Sequence, residues 1–184
     1  MEGFLNPEEV LKQLKLKKDM TAVDFGSGSG GWVIPLAKKL EDGQVFAIDI
    51  LEEPLSALRS RALSEKIFNI KPILADVEKD IDLPKESFDI ILMTNLLFQV
   101  DDKKKVLEQG KRFLKKGGKI LIVDWEKDAP LGPKEGRVSS EEIKILASEV
   151  GLKLEKPAPY RNEVSGSGEF PVGSQHYGLI FTKP

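Results

Sequence analysis

Apolar residues follow two different spacings along the chain, and the alternation between them predicts the order of secondary-structure elements. Short runs rich in Ile, Leu, Val and Phe are typical of buried parallel strands, and between them apolar residues recur at helical intervals. The predicted strands cover residues 21–25, 44–50, 70–77, 88–95 and 119–125, and the predicted helices cover residues 7–16, 32–40, 54–66, 101–114 and 139–150. This alternation predicts an α/β fold built on a parallel sheet.

The last part of the chain departs from the alternation. Residues 152–160 and 175–182 are two further strand candidates, joined by a loop rich in Gly, Ser and Pro with no helix between them. Strands connected in this way pair antiparallel, so we expect these two to be antiparallel neighbours. The Gly/Ser stretch at residues 165–168 is too short for an interdomain tether and is interpreted as a flexible loop. We therefore expect residues 1–184 to form one domain.

Composition removes several kinds of chemistry. The 184 residues include no Cys and one His, which excludes a disulfide framework, a thiolate nucleophile and the common zinc sites. No metal is predicted, and the chemistry must come from carboxylates, backbone groups or a cofactor. The net charge of −2 gives no overall attraction to nucleic acid. No apolar stretch approaches the roughly 18 residues of a membrane span, and we expect a cytoplasmic protein.

The segment at residues 23–32 is the motif that carries chemistry. It places a run of glycines between a predicted strand and a predicted helix, where the backbone can turn sharply and approach a ligand. The N–H groups at the start of such a helix attract negative or electron-rich ligand groups. Gly26, Gly28 and Gly31 satisfy G-x-G-x-x-G, while Gly26, Gly28 and Gly30 satisfy G-x-G-x-G. Glycine spacing alone therefore does not name the cofactor.

Two carboxylates narrow the choice of cofactor. Asp49 ends the next strand about 20 residues on, where a carboxylate can accept hydrogen bonds from both ribose hydroxyls. Asp24 lies two residues before the first glycine, where it would be unfavourable beside a dinucleotide pyrophosphate. S-adenosylmethionine carries a sulfonium and an ammonium group and no phosphate. Asp24 therefore favours S-adenosylmethionine over a dinucleotide.

Taken in order, the motifs resemble those of class I S-adenosylmethionine-dependent methyltransferases, nearest to the small ubiquinone/menaquinone-biosynthesis type. The resemblance covers roughly residues 5–182 and is carried by residues 24–30 (DFGSGSG), Asp49, and residues 75–77, 88–95 and 114–121. It implies a Rossmann-like seven-stranded mixed sheet with helices on both faces. Six strands would be parallel and the last strand antiparallel. The implied cofactor is S-adenosyl-L-methionine.

The resemblance also implies roles for individual residues. The glycine loop would hold the methionine end of the cofactor, and Asp49 would bind its ribose. Ile50, Asp76 and Val77 would contact its adenine. Asn95 would lie at the boundary between cofactor and acceptor. The implied cofactor-binding residues are Asp24, Gly26, Ser27, Gly28, Gly30, Asp49, Ile50, Asp76, Val77 and Asn95.

The segment that follows Asn95 indicates the type of acceptor. It continues Leu-Leu-Phe, unlike the Asn/Asp-Pro-Pro-Tyr of relatives that methylate amino groups. A nucleic-acid base or amide nitrogen therefore loses support as the acceptor, and a small molecule is expected.

Methyl transfer to an acceptor is an in-line displacement that depends mainly on alignment, so a base is not strictly required. If the acceptor must lose a proton, the candidates near the carboxyl ends of the strands are His176, Asp124 and Asn95. The other interpretation of His176 is a partly buried side chain bonded within the terminal hairpin.

Three other functions stay open on the sequence. They are a nicotinamide-dependent reductase, a protein lysine methyltransferase and a non-catalytic cofactor-binding scaffold. The oligomeric state is not indicated by the sequence.

Overall fold

The computed structural model describes residues 5–155, 169–172 and 175–184 of the chain. The helices are α1 (Pro7–Leu11), α2 (Val33–Lys39), α3 (Glu52–Ser64), α4 (Lys103–Phe113) and α5 (Ser140–Glu149), with a 3-10 turn at Lys12–Leu14 after α1. The strands are β1 (Thr21–Phe25), β2 (Gln44–Asp49), β3 (Ile70–Leu74), β4 (Phe88–Thr94), β5 (Leu114–Trp125), β6 (Lys153–Leu154), β7 (Glu169–Val172) and β8 (His176–Thr182).

All the strands in the described part of the chain belong to one mixed sheet. Its order is β3–β2–β1–β4–β5–β8, and the short strands β6 and β7 both pair with β8. Strands β1 to β5 pair parallel, whereas β8 runs antiparallel to β5 with Trp125 opposite His176. Strand β8 pairs with β5 along one edge and with both β6 and β7 along its other edge. β6 and β7 therefore occupy the same position in the sheet, which is seven strands wide. The predicted Rossmann-like α/β fold is confirmed.

Side chains that alternate along each strand form two apolar cores, one on each face of the sheet. Along β1, Ala22 belongs to the core shared with α1, α2 and α3, while Val23 and Phe25 belong to the core shared with α4 and α5. Strands covered by helices on both faces are apolar throughout, which explains their nearly continuous runs of Ile, Leu and Val.

The structure corrects several predicted boundaries. The first helix ends before residue 16, because Lys15 has a left-handed φ of 48°. The third strand ends at Leu74 and not at residue 77, because the carboxylate of Asp76 accepts the N–H of Glu78 (2.9 Å) and turns the chain away from the sheet.

The fifth strand begins before the predicted residue 119 and includes Gly117 and Gly118, because α4 ends at Phe113 and β5 begins at the next residue. The N–H of Gly117 donates to the carbonyl of Lys183 (2.8 Å), and the N–H of Lys183 donates to the carbonyl of Gly118 (3.1 Å). Pairing with the end of the chain thus keeps these glycines in the strand.

The terminal antiparallel pair is confirmed in part. Within the described residues, the strand predicted at 152–160 is limited to Lys153–Leu154, which pairs antiparallel with β8 as expected. Residues 156–160 and the loop predicted at 165–168 lie outside the described residues. β7 was not predicted from the sequence.

Candidate active site

The glycine loop joins β1 to α2 and is held by hydrogen bonds within the protein. The N–H groups of residues 26 and 27 both donate to the carbonyl of Ile48 on β2, at 2.9 and 2.8 Å. The N–H of Gly28 donates to Asp49 Oδ2 (2.8 Å), and that of Gly30 donates to the carbonyl of Ser27 (3.1 Å). Four N–H groups are thus already satisfied. These bonds fix the shape of the loop, and the N–H groups at the start of α2, to which the sequence prediction refers, are not among them.

Three glycines of the loop have left-handed φ values but different surroundings. A Cβ on Gly28 would meet nothing within 4 Å. A Cβ on Gly26 would lie 2.9 Å from Leu96 Cδ1, and one on Gly30 would lie 2.4 Å from Leu58 Cδ1 of α3. Gly28 therefore keeps space open, whereas Gly26 and Gly30 allow close packing against other elements.

A cleft of about 530 Å³ opens beside this loop, at the carboxyl ends of β1 to β4. Of the residues proposed from the sequence, it is lined by Gly26, Ser27, Gly28, Asp49, Ile50, Asp76, Val77 and Asn95. The remaining four, Asp24, Gly30, Asp124 and His176, do not line it. Ligands of open α/β sheets bind at this end of the strands, which makes the cleft the candidate cofactor site.

The cleft is acidic. Asp49, Asp76 and Glu78 line it, and none of the described lining residues is Lys, Arg or His. Lys79, outside the lining, approaches Asp76 Oδ2 at 3.4 Å. A pyrophosphate would meet these carboxylates without a cationic partner in the lining, whereas a cationic ligand would be attracted.

Asp24 lies in the interior next to the cleft residues. Its side chain is fully buried, and neither carboxylate oxygen has a hydrogen-bond donor among the described residues. Burial, followed by the negative charge of Asp49, raises the pKa of Asp24 well above its usual value. Burial therefore favours the protonated form of this carboxyl group, and a positive charge or a hydrogen-bond donor nearby would oppose that effect.

Asp49 organises the loop as well as lining the cleft. Its Oδ2 accepts the N–H of Gly28, and its Oδ1 accepts the N–H of Leu51 (3.0 Å). Each carboxylate oxygen can accept a second hydrogen bond, so acceptor capacity is left for a ligand hydroxyl. Ile50 and Leu51 beside it are about 60% exposed and give the rim of the cleft an apolar surface.

Two polar residues that support the cleft were missed at the sequence level. Gln109 of α4 is buried, and its Nε2 donates to the carbonyls of Val77 (2.8 Å) and Lys79. Glu78 Oε1 accepts the N–H groups of residues 101 and 102 at 3.0 and 2.7 Å. The available signal was a glutamine on the apolar stripe of α4.

Asn95 follows β4 in a left-handed conformation, with φ of 50°, which Asn tolerates better than most residues. Its N–H donates to the carbonyl of Val123 (2.8 Å), and its carbonyl accepts the side-chain amide of Gln99 (2.6 Å). The side-chain Oδ1 is buried and has no partner among the described residues. Asn95 thus brings an unsatisfied acceptor to the cleft.

Asp124 lies at the end of β5 and is only 1% exposed. Its Oδ2 accepts the N–H groups of Leu97 (2.8 Å) and Phe98 (3.3 Å), and its Oδ1 accepts that of Trp125 (2.8 Å). Burial raises the pKa of Asp124 to about 6, against the lowering effect of these hydrogen bonds. The side chain connects β5 to the segment after β4.

His176 begins β8 and packs against Trp125, with ring centroids 4.1 Å apart. It is 8% exposed, and its Nε2 has no partner among the described residues. Burial, and then the charge of Arg137, lowers the pKa of His176. The imidazole is therefore neutral near pH 7.

Comparison with known proteins assigns the family. A family model described as a methyltransferase domain matches residues 16–163, which is most of the chain. The chain belongs to this methyltransferase family. The expected class I S-adenosylmethionine-dependent methyltransferase domain is confirmed.

Individual relatives agree with this assignment. The structure of an S-adenosylmethionine-dependent methyltransferase from Aquifex aeolicus is 27% identical, with a TM-score of 0.84 over 98% of this chain and 90% of that one. A demethylmenaquinone methyltransferase from a Geobacillus strain is 25% identical over 68% of this chain and 53% of its own length. Phosphoethanolamine N-methyltransferase 3 from Arabidopsis thaliana is 28% identical over 67% of this chain and 24% of its own length.

The methyltransferase chain thus spans about half the length of the Geobacillus relative and about a quarter of the Arabidopsis one. Among the residues that the structure describes, no helix has the length and apolar character needed to cross a membrane.

Proposed function

We propose that this protein binds S-adenosylmethionine in the acidic cleft and transfers its methyl group to a small-molecule acceptor. The observation that carries the proposal is the charge of the site. Three carboxylates line the cleft, no cationic side chain is found among its described lining residues, and the buried carboxyl group of Asp24 lies in the interior nearby. These acidic side chains suit a ligand that carries a sulfonium and an ammonium group and no phosphate.

The residues present fit this cofactor in size and polarity. A cleft of about 530 Å³ is within the range of about 300–1,000 Å³ usual for small-molecule sites. In the proposed arrangement, Gly26, Ser27 and Gly28 border the methionine end and Asp49 accepts hydrogen bonds from the ribose hydroxyls. Ile50, Asp76 and Val77 enclose the adenine.

When bound, the cofactor supplies a methyl group on a positively charged sulfur that leaves as a neutral thioether. The protein's task is to align the acceptor with this group and to exclude water. We propose that Asn95 contributes at the boundary, where its unpartnered Oδ1 offers a hydrogen-bond acceptor. Asp124 and His176, the candidate bases, lie outside the cleft, so the proposal depends on alignment, and a proton released by the acceptor passes to solvent after methyl transfer.

A second cleft is the proposed acceptor site. It measures about 620 Å³ and adjoins the first, because Gln99 lines both. Its other lining residues are Phe98, Pro133, Lys134, Glu135 and Gly136. A Cβ on Gly136 would lie 2.0 Å from the carbonyl oxygen of Phe98, so the two walls approach each other closely.

The acceptor that these residues favour is a flat, apolar molecule of the quinol type. Phe98 and Pro133 present apolar surface, and Lys134 is the one cationic side chain among the described lining residues. A phosphate group is usually bound by several charged or N–H donors. Of the two acceptors that the relatives' names contain, demethylmenaquinone therefore fits better than phosphoethanolamine.

Calorimetry tests the proposed cofactor. We expect S-adenosylmethionine and its demethylated product to bind, and NADH not to bind. Asp49→Ala should weaken binding by about 1–3 kcal/mol, because ribose hydroxyls lose their acceptor and the loop loses a support. Asp19→Ala, an exposed position before β1, is the control and should bind normally. Tight NADH binding without a response to the sulfonium ligand would refute the proposal.

Methyl transfer from radiolabelled cofactor tests the acceptor. A short-chain demethylmenaquinol and phosphoethanolamine are supplied separately, and a cell extract is used in parallel. We expect label in the quinol product and in the small-molecule fraction of the extract. Label in phosphoethanolamine would overturn the quinol assignment, label in protein would indicate a protein methyltransferase, and label in neither would favour a scaffold.

A further inference from the structure

The segment at residues 95–100 separates the two clefts, and we call it the dividing segment. Asn95, Leu96, Gln99 and Val100 line the cofactor cleft, while residues 98 and 99 line the neighbouring one. It lies between the end of β4 and the start of α4, so no helix or strand ladder holds its backbone. Its conformation must depend on other contacts.

Asp124 supplies the contact at the middle of the dividing segment. One carboxylate oxygen accepts the N–H groups of both Leu97 (2.8 Å) and Phe98 (3.3 Å). Within the part of the chain that the structure describes, these two N–H groups have no other acceptor. Hydrogen bonds to an ionised carboxylate are about twice as strong as those between neutral groups.

We propose that Asp124 is a positioning residue, whose ionised carboxylate holds the dividing segment in the conformation that shapes the cofactor cleft. This inference rests on the proposed function, since it assigns a role in binding the same cofactor. Asp124 itself is only 1% exposed and does not line either cleft. It acts through the backbone of residues 97 and 98.

Leu96 connects the conformation of the dividing segment to the glycine loop. A Cβ on Gly26 would come within 2.9 Å of Leu96 Cδ1, so this side chain lies directly against the first glycine. A shift of the dividing segment therefore changes both the wall and the loop of the cofactor cleft.

Protonation of Asp124 weakens this contact, because a neutral carboxyl is a poorer acceptor. Burial raises its pKa to about 6, and Lys103 at the start of α4 opposes this rise. Across the sheet, Tyr177 is the β8 neighbour of Asp124, and His176 is the neighbour of Trp125. The Tyr177 hydroxyl donates to the carbonyl of Val138 (3.1 Å), and burial lowers the pKa of His176. Loosening of the segment is therefore expected as the pH falls through about 6.

The experiment compares the full chain with Asp124→Asn. Affinity for S-adenosylhomocysteine, the unreactive product, is measured by calorimetry from pH 5 to pH 8. At pH 8 the substitution should weaken binding roughly tenfold, since the amide presents a donor or a neutral acceptor to the two N–H groups. At pH 5 the ratio of the two affinities should approach one, because wild-type Asp124 is then neutral as well. A general stabilising role would leave the ratio constant.

The matched control is Asp89→Asn, at the opposite end of the neighbouring strand. Asp89 also accepts a backbone N–H, that of Thr21 (2.9 Å), and pairs with Lys115. Its substitution should leave the affinity ratio near one at every pH. Equal affinity of wild type and Asp124→Asn at pH 8, or a ratio that does not change with pH, would overturn the proposal.

Hydrogen exchange in the wild-type chain gives a readout that needs neither variant nor ligand. Protection of the amides of Leu97 and Phe98 should fall below pH 6, relative to amides in the centre of β4. Constant relative protection would contradict the role of Asp124. If S-adenosylhomocysteine does not bind the wild type at all, the proposed function fails, while the exchange data still decide whether Asp124 holds the segment.

Discussion

Substitution of Asp24 by Asn should change how the stability of the methyltransferase depends on pH. Asp24 is fully buried, neither oxygen has a donor among the described residues, and its pKa is raised well above 3.8 by burial and by Asp49. In the unfolded chain the same carboxyl ionises near its ordinary pKa. At a pH between the unfolded and the folded pKa of Asp24, the folded protein therefore retains a proton that the unfolded chain has lost.

The sign and size of the effect follow from this difference. Where the folded state binds more protons than the unfolded state, the free energy of unfolding falls as pH rises, by about 1.4 kcal/mol per pH unit for one group. This loss of stability is absent below pH 3.8, and it grows as the pH rises toward the raised pKa of Asp24 in the folded state. Asn does not titrate, so the variant should gain stability relative to wild type as the pH rises above 3.8, by at most about 1.4 kcal/mol per pH unit.

Urea denaturation of both proteins, at half-unit steps from pH 4 to pH 7, measures this difference. A buried amide also has unmet hydrogen bonds, which shift the variant by a constant of about 1–3 kcal/mol, so the test is the slope and not the absolute value. The exposed substitution Asp19→Asn should run parallel to wild type. Parallel curves for Asp24→Asn and wild type would mean that Asp24 is ionised in the folded protein, and the reasoning would be refuted.

Three further predictions concern packing, loop order and a helix cap. Gly30→Ala should lower the free energy of unfolding by about 2–4 kcal/mol in chemical denaturation, because the φ of Gly30 is 90° and a Cβ there would meet Leu58 at 2.4 Å. The control is Gly31→Ala, whose Cβ would meet nothing within 4 Å, and it should change that free energy by about 0.5 kcal/mol. Arg137→Lys should increase hydrogen exchange in residues 126–136, because the guanidinium donates to five carbonyls of this loop. The affinity for S-adenosylhomocysteine should stay unchanged. Equal hydrogen exchange in the variant and the wild type would contradict this prediction. Glu142→Gln should lower stability by about 0.5–1 kcal/mol at pH 7, allowing for solvent screening. Ser139 lowers the pKa of Glu142 to about 2, so this loss should shrink as pH falls from 4.5 to 2, and a loss independent of pH would count against it.

The order of elements was predictable because it depends on local patterns. Strand β1 was predicted with the bounds that the structure has, and the five parallel strands were placed from their apolar runs. The predicted boundaries are wrong where contacts with residues distant in the sequence determine the secondary structure. Gly117 lies in a strand because Lys183 pairs with it, and β7 exists beside β8, neither of which appears in a local pattern.

The sequence by itself determined the fold, the family motifs and eight of the residues that line the candidate cofactor cleft, because strand order brings those residues to one edge of the sheet. Only the tertiary structure decided what the remaining carboxylates do. Asp24 and Asp124 are both aspartates near strand ends. Asp24 has no hydrogen-bond donor among the described residues, whereas Asp124 accepts two N–H groups of a distant segment. Burial and hydrogen-bond partners arise from packing between elements, and these set the charge of a carboxyl group.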